Sequence, residues 1–401
     1  KIQNMHKKKN SSRKPRGGQS RGRREETTGR VSMTREGYAF IISEGVEDDV
    51  FIPASRMRGA LHGDTVRISI ITKKSGSRRK EGEVIEIIER TKRPFTGILQ
   101  IVGDEAWVIC ENRFMPHDIK VPKGGYSADM HGKKVAVIVD EWPRSSDEPI
   151  GHISDVLGVP GENNTEMHAI LTEFGLPYKF DPSVDKEADK ISETIDQKEI
   201  KARRDFRGVT TFTIDPADAK DFDDALSLKQ LPNGNWEVGV HIADVTHYVR
   251  PGTLVDKEAQ ERATSVYLVD RTVPMLPEKL SNKLCSLRPN EEKLCFSAVF
   301  EITEKGKVAG RWFGRTIIES DYRFSYEEAQ QIIENKEGPL KEEMLKLHSL
   351  AYLLREERFR SGAISFERPE MKVEVDENGK PVRVYQKISM DSNWLIEEFM
   401  L

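Results

Sequence analysis

Residues 213–226 read Thr213-Ile214-Asp215-Pro216-Ala217-Asp218-Ala219-Lys220-Asp221-Phe222-Asp223-Asp224-Ala225-Leu226. Five carboxylates fall within ten residues, behind a run in which Phe212 and Ile214 alternate with Thr211 and Thr213 like a half-buried strand. Two like charges about 4 Å apart repel by roughly 4 kcal/mol at an effective dielectric near 20, so converging Asp groups must raise a pKa or share a cation. No His or Cys lies in the stretch, and hard oxygen ligands suit Mg²⁺ or Mn²⁺ rather than Zn²⁺. A solvated acidic loop is the alternative, and the apolar flanks weigh against it. A calcium loop of the helix-loop-helix kind is not matched, because the alternating ligands and the Gly at the sixth position are missing. In a simply extended chain Asp221 and Asp223 would share a face and Asp224 would point away, so convergence requires a turn or bulge.

The spacing of Asp215, Asp221, Asp223 and Asp224 resembles the signature of the ribonuclease II and ribonuclease R family. His241-Ile242-Ala243-Asp244-Val245, Ser265-Val266-Tyr267-Leu268, Pro274-Met275-Leu276-Pro277 and Leu284-Cys285-Ser286-Leu287 follow in the family's order. The resemblance extends from Gly29 to Leu401, is strongest over residues 210–290, and leans toward the bacterial ribonuclease R branch.

Composition sets outer bounds. A length of 401 residues suggests two to four domains, and 37% hydrophobic with 32% charged residues describes a soluble globular protein. No run of eighteen apolar residues exists, so no membrane span or membrane partner is expected. No secretory signal opens the chain, and Cys110, Cys285 and Cys295 form no metal or disulfide framework, which makes the cytoplasm the expected location. The net charge of −4 hides a basic arm: residues 1–30 hold eleven Lys and Arg against Glu25 and Glu26, with too little apolar content for a core. Such an arm can hold phosphates by releasing their counterions, or be a solvated tail. A start on Lys1 suggests a fragment.

Ordered structure is expected from about Gly29. Residues 37–42 and 49–53 read as strands joined by a Glu44-Gly45 turn, followed by a strand over 65–71. Period-two alternation puts Tyr38 and Phe40 on one sheet face, either in the core or as a surface on which bases stack. The resemblance implies a cold-shock, OB-type barrel here and so favours stacking, with Phe51 alongside. Leu61-His62-Gly63-Asp64-Thr65-Val66 recurs roughly 65–70 residues later as Met130-His131-Gly132-Lys133-Lys134-Val135, so a second barrel is expected, with Trp107 and Phe114 as platforms. Met167, Ile170, Leu171 and Phe174 then mark a helix stopped by Gly175. Asp181-Pro182 caps another, leading into Val184, Ala188, Ile191 and Ile195. The basic run 198–207 either meets RNA or pairs with acids. Further on, Leu294, Phe296, Ala298, Phe300 and Ile302 occupy one face of a strand. Ser325 with Glu328 forms a capping box, and Met344, Leu347, Leu350, Ala351 and Leu354 form a helical stripe ending at Gly362.

The fold class is multidomain: a disordered basic arm (1–26), two all-β OB-fold, cold-shock-like barrels (27–90 and 91–163), a helical connector (164–208) and an incomplete α+β catalytic domain of the ribonuclease II type (209–401). The resemblance implies a processive, hydrolytic 3′-to-5′ exoribonuclease that degrades single-stranded RNA, or structured RNA with a 3′ tail, to nucleoside 5′-monophosphates as a monomer. It makes Asp215 and Asp224 the principal Mg²⁺ (or Mn²⁺) ligands, Asp221 a ligand or positioner of what the metal holds, and Asp223 the residue that promotes bond breakage. Asp218 lies outside the pattern and is read as solvated. Tyr267 and Phe366 are implied as a clamp on stacked bases, Tyr326 as a positioner at the cleavage site, and Glu397 as support for the terminal nucleotide. The family's phosphate-binding Arg segment and its C-terminal RNA-binding barrel have no counterpart before Leu401, so weak or absent activity is expected of this polypeptide alone. The competing reading is an RNA-binding protein without catalysis, in which the barrels bind and the central domain is scaffold.

Overall fold

The computed structural model describes residues 25–34, 36–43, 49–71, 80–110, 115, 117–143, 148–365, 369–376 and 379–401. The chain divides into two compact units, residues 1–176 and 177–401. No helix among the described residues is long and apolar enough to cross a membrane.

The first unit holds two closed five-stranded barrels. One is built from β1 (Glu26–Met33), β2 (Ala39–Ile42), β3 (Val50–Ile52), β4 (Thr65–Ile71) and β5 (Glu81–Glu89) in the order β1-β2-β3-β5-β4. The other uses β6 (Phe95–Val102), β7 (Glu105–Cys110), β8 (Ile119–Val121), β9 (Lys134–Glu141) and β10 (Ile150–Gly158) in the matching order. The sequence repeat has a structural cause. Gly63 and Gly132 sit at φ +92° and +76°, where a side chain would be strained, and their N–H groups donate to Val31 O (2.9 Å) and Leu99 O (2.8 Å). Beside them the Nδ1 of His62 accepts from Met33 N–H (3.2 Å) and that of His131 from Ile101 N–H (3.0 Å). Each His-Gly pair thus ties the turn before the fourth strand to the first.

Ala39, Ile41, Val50 and Ile52 fill the first barrel, which leaves Tyr38, Phe40 and Phe51 half-exposed outside it. Their ring centroids are 5.4–5.9 Å apart. In the second barrel Trp107 takes the register position of Phe40 and Lys120 that of Phe51, with the Lys120 ammonium 5.5 Å from the Trp107 ring. Phe114 and the Glu44-Gly45 turn lie outside the described residues. Helix α1 (Asn163–Glu173) forms as expected, but its buried face is Thr165, Ala169, Leu171 and Thr172. Ile170 and Phe174 are exposed, because the helix lies close against the second barrel through small side chains, with Ala169 on Ala136 and Leu157.

The second unit opens with α2 (Pro182–Asp189), capped by Asp181, and α3 (Gln197–Lys201), capped by Asp196. The stripe expected to run on to Ile195 is cut short at Asp189. A seven-stranded sheet follows, made of β11 (Arg204–Asp205), β12 (Thr211–Asp215), β13 (Asp224–Gln230), β14 (Trp236–Ala243) and later strands. Between β14 and those strands lie α4 (Val245–Tyr248), α5 (Leu254–Arg262) and a small pair, β15 (Val266–Tyr267) with β16 (Thr272–Val273). Then come β17 (Glu292–Ile302), β18 (Val308–Glu319), β19 (Tyr322–Ser325), α6 (Tyr326–Asn335) and α7 (Lys341–Arg360). The exposed hairpin β20 (Glu370–Val375) with β21 (Pro381–Lys387) and helix α8 (Asp391–Met400) end the chain. The sheet order is β11-β18-β17-β14-β13-β12-β19. Helices α6, α7 and α8 cover one face over Phe212, Ile214, Leu226 and Val240. Helices α2 and α5 with the π-helical turn Leu280–Leu284 cover the other over Ala225, Ala243, Cys295 and Val299.

Two covered faces explain two departures from the expected pattern. Strand β12 is buried at all five positions, not on one side. In β17, Cys295, Ser297 and Val299 are buried while Phe296 is 53% exposed, since the helical cover stops short of it. The capping box Ser325–Glu328 and the α7 stripe stand as expected. Of the basic run, Arg203 pairs with Glu199 and Asp244, Arg204 with Glu237, and Arg207 with Asp205 and Glu292, so these three meet acids.

Beneath β13 a polar ladder is buried in the sheet. His241 bridges Ser227 Oγ (2.8 Å) and Ser297 Oγ (2.7 Å), and Ser297 reaches Thr316 (2.6 Å). Burial first, then the charge of Arg204, holds His241 down to about 3, so it is neutral. A Cβ at Gly239 would stand 2.4 Å from Ser227 Oγ and 2.5 Å from His241 Nε2. Gly239→Ala should therefore lose about 2–5 kcal/mol of stability, through overpacking and unmet buried polar groups. Urea unfolding tests this, and a loss below about 1 kcal/mol would contradict the ladder's role.

Candidate active site

Asp215 is the last residue of β12 and pairs across to Ser325 of the parallel edge strand β19, while Asp224 is the first residue of β13, opposite Ile242. Residues 216–223 join them without regular structure, and backbone bonds from distant segments fix this loop. The Arg323 guanidinium donates to the carbonyls of Pro216 (2.5 Å) and Ala217 (2.9 Å), and Ala219 N–H closes a turn onto Pro216 O (3.0 Å). Ser286, fully buried, donates to Lys220 O (3.0 Å) and accepts from Phe222 N–H (3.1 Å). The carbonyls of Phe222 and Asp223 accept from Leu287 N–H (2.8 Å) and Ala243 N–H (3.0 Å). With the Phe222 ring sunk in the core, Asp221 and Asp223 turn outward. This is the turn that convergence demanded. Asp218 is exposed at its apex.

The electrostatics follow from that placement. Asp215 is 7% exposed, and burial first, with the charges of Asp224 and Asp223 adding, lifts its carboxyl from 3.8 to about 6 against an easing by Thr213 and Arg323. The Thr213 hydroxyl is near but stands outside hydrogen-bond geometry. Asp223 is open at its tip yet walled by protein, and desolvation, then Asp221 and Asp224, lift it to about 6. Asp224 is raised by burial. Tyr326, at the head of α6, is pushed up to about 12 by burial and then by Asp224 and Asp215. The Tyr267 hydroxyl, on a side chain 68% exposed, donates to Asp221 Oδ2 at 3.5 Å.

Asp215, Asp221, Asp223, Asp224, Tyr267 and Tyr326 therefore gather in one place. Glu397 does not share their contacts: its carboxylate pairs with Arg355 (3.6 Å) and Arg358 (3.1 Å) of α7. Phe366 lies outside the described residues, and Tyr38, Phe40 and Phe51 belong to the first unit. Ser286 and Arg323 are not marked by sequence pattern: Ser286 lies in the Leu284–Leu287 motif with no local cue to its contacts, and an Arg on an edge strand carries no signal of its own.

No group of three or more His, Cys, Asp or Glu side chains among the described residues stands in a ready ligating arrangement. The donor set still fits a hard divalent cation. Asp215 Oδ2 is buried and accepts no hydrogen bond, neighbouring carboxylates raise both Asp215 and Asp223, and magnesium needs only one or two carboxylates beside its waters and substrate phosphate.

Three family patterns match the chain: the RNB domain at residues 203–401, the cold shock domain at 107–181 and the ribonuclease B OB domain at 29–87. Ribonuclease R of Aquifex aeolicus is 35% identical over 383 residues, which is 94% of this chain and 54% of that protein. Mycoplasma genitalium RNase R in complex with ribose-methylated single-stranded RNA superposes with a TM-score of 0.87 at 25% identity, over 93% of this chain and 60% of that one. Yeast Ssd1, a pseudonuclease, shares the fold with a TM-score of 0.67 at 18% identity, over 93% of this chain and 53% of that one. The chain spans about half the length of the curated relatives it matches.

A carboxyl raised from 3.8 to about 6 by folding contributes stability that is fully present below 3.8 and lost as pH rises through about 6. Above that pH, without divalent ions, Asp215 works against the fold by up to about 3 kcal/mol. Asp215→Asn in EDTA at pH 8 should accordingly gain about 1–2 kcal/mol, after discounting the new amide's unmet donors, and the gain should shrink as pH falls below 6. Denaturant titrations at the two pH values read this; a variant no more stable than the parent at pH 8 would mean that Asp215 carries no strain.

Proposed function

We propose, on the premise that this chain belongs to the ribonuclease II and ribonuclease R family, that its parent protein is a hydrolytic 3′-to-5′ exoribonuclease. It would act processively on single-stranded RNA, or on structured RNA with a 3′ tail, as a cytoplasmic monomer. The observation that carries this reading is the gathering of Asp215, Asp221, Asp223 and Asp224, in which burial raises Asp215, Asp223 and Asp224 and neighbouring carboxylates raise Asp215 and Asp223 further, inside the segment that matches the RNB domain.

Asp215, Asp224 and Asp221 would hold Mg²⁺, or Mn²⁺ in its place, which supplies charge neutralisation to a phosphodiester and to its leaving oxygen. The chain's own residues do the rest. Asp223, raised to about 6 and open to solvent, suits a general base near neutral pH. Water adds to the phosphorus while its proton passes to Asp223. The bond from phosphorus to the 3′ oxygen breaks, that oxygen takes up a proton, and a nucleoside 5′-monophosphate departs. Tyr267, beside Asp221, and Tyr326, beside Asp224 and Asp215, flank the place the scissile phosphate would take. Phe366 would complete the base clamp with Tyr267, Glu397 would support the terminal nucleotide, and Tyr38, Phe40 and Phe51 would form an outer stacking platform. Residues 1–26 would serve as a phosphate-binding arm.

A non-catalytic, RNA-binding scaffold is the competing reading, and the four intact carboxylates weigh against it. Asp223→Asn in the full-length parent should abolish cleavage by about 10²-fold or more, the scale of a lost general base, and leave RNA affinity within about twofold. Gel shifts and single-turnover assays read the two quantities, and unchanged turnover would remove Asp223 from the mechanism.

The two aromatic sites should fail differently. Losing Tyr38 and Phe40 together should cost at most about 2–6 kcal/mol of RNA binding, the stacking of two bases, while threaded RNA is still cut. Tyr267→Ala should instead lengthen the final undegraded fragment, because the clamp sets how few nucleotides stay in register with Asp223. Denaturing gels of limit products decide: a changed end-product length in the Tyr38 and Phe40 variant alone would mean that the roles are exchanged.

A further inference from the structure

We infer that Arg323 is a positioning residue for the catalytic carboxylates, one that fixes the loop 216–223 from the sheet edge and thereby sets where Asp221 and Asp223 stand relative to Asp215. The inference rests on the proposed nuclease reading for its catalytic consequence and on geometry for its structural one.

Arg323 lies on β19, opposite Thr213 in the parallel pairing with β12, two residues from the Asp215 register position. One guanidinium nitrogen donates to two successive carbonyls, Pro216 and Ala217, where the chain leaves β12. The same group lies over the Phe222 ring, 5.4 Å from its centroid. One side chain thus holds both ends of the loop segment that carries Asp218 and Asp221. Proline contributes to the arrangement, since Pro216 brings no N–H of its own to the turn and its carbonyl serves both Ala219 and Arg323.

The contact has a second consequence. Arg323 Nε is buried and without a hydrogen-bond partner, as is Asp215 Oδ2. A fixed positive charge therefore sits in the wall of an acidic cluster, beside the end of the strand that carries Asp215. A lysine would keep that charge but lacks the planar guanidinium that lies over the Phe222 ring while one of its nitrogens reaches both carbonyls. Position and charge can consequently be separated by substitution.

The inference is tested on the full-length parent with Arg323→Met and Arg323→Lys. In Arg323→Met, amide exchange in the peptide covering residues 217–223 should quicken by about tenfold or more, the loss expected for a charge-assisted hydrogen bond, while exchange in β13 and β14 stays as in the parent. Mn²⁺ binding without RNA, followed by electron paramagnetic resonance, should weaken about tenfold by the same reasoning. RNA affinity in EDTA should hold within about twofold, so the loss appears in kcat and not in KM. Arg323→Lys, which keeps the charge but not the geometry, should recover neither the slow exchange nor the Mn²⁺ affinity in full. Unaltered exchange across residues 217–223 in a folded Arg323→Met protein overturns the inference, as does a loosening of the whole sheet in both variants. If the loop loosens as described but the parent releases no nucleotide, the positioning role stands and the nuclease reading is what fails.

Discussion

Four carboxylates that repel one another must be held together in a partly buried hollow, and much of the second unit is arranged to bear that cost. Burial disfavours the ionised forms of Asp215, Asp223 and Asp224, and neighbouring carboxylates add to it at Asp215 and Asp223. A chain of flexible backbone would splay them apart. Here Asp215 and Asp224 are locked as the end of one strand and the start of the next, while the loop between them is held by groups on three separate segments. The sheet that supplies those anchors is covered on both faces, and a neutral, fully satisfied His241 ladder fixes the register of the strand that begins with Asp224. Stability is given up at the site and recovered beneath it, the usual relation between a strained functional centre and its scaffold.

The first unit meets a different demand. A barrel has a filled inside and an outside, and small or branched residues inside the first barrel force its aromatics outward. Tyr38, Phe40 and Phe51 therefore form a continuous surface of rings, whereas the second barrel presents Trp107 and Lys120 at the same register positions. The same scaffold thus carries a purely aromatic platform once and an aromatic-cationic one the second time.

Much of this was legible in the sequence because it depends on local patterns. The two His-Gly turns, the Ser325–Glu328 box and the α7 stripe all announce themselves within a few residues, and each is where expected. The Asp spacing and the motifs after it pointed to the chemistry. What stayed hidden depends on contacts between remote segments. The exposure of Phe296 is decided by where the helices on that face stop, and the burial of Thr211 and Thr213 by a second layer of helices. The face of α1 is decided by how closely it can approach a barrel. The path of residues 216–223 belongs to the same class, since Ser286 and Arg323 lie some sixty and one hundred residues further along the chain.

The central claim is that this gathering of carboxylates serves stepwise removal of nucleotides from an RNA 3′ end. The most direct measurement is a time course of the full-length parent on single-stranded RNA labelled at its 3′ terminal nucleotide, with Mg²⁺ present and with Mg²⁺ chelated. The account predicts labelled nucleoside 5′-monophosphate as the first and only labelled product, formed only with the metal. Labelled oligonucleotides from internal cuts, or equal cleavage in the chelated sample, would contradict it.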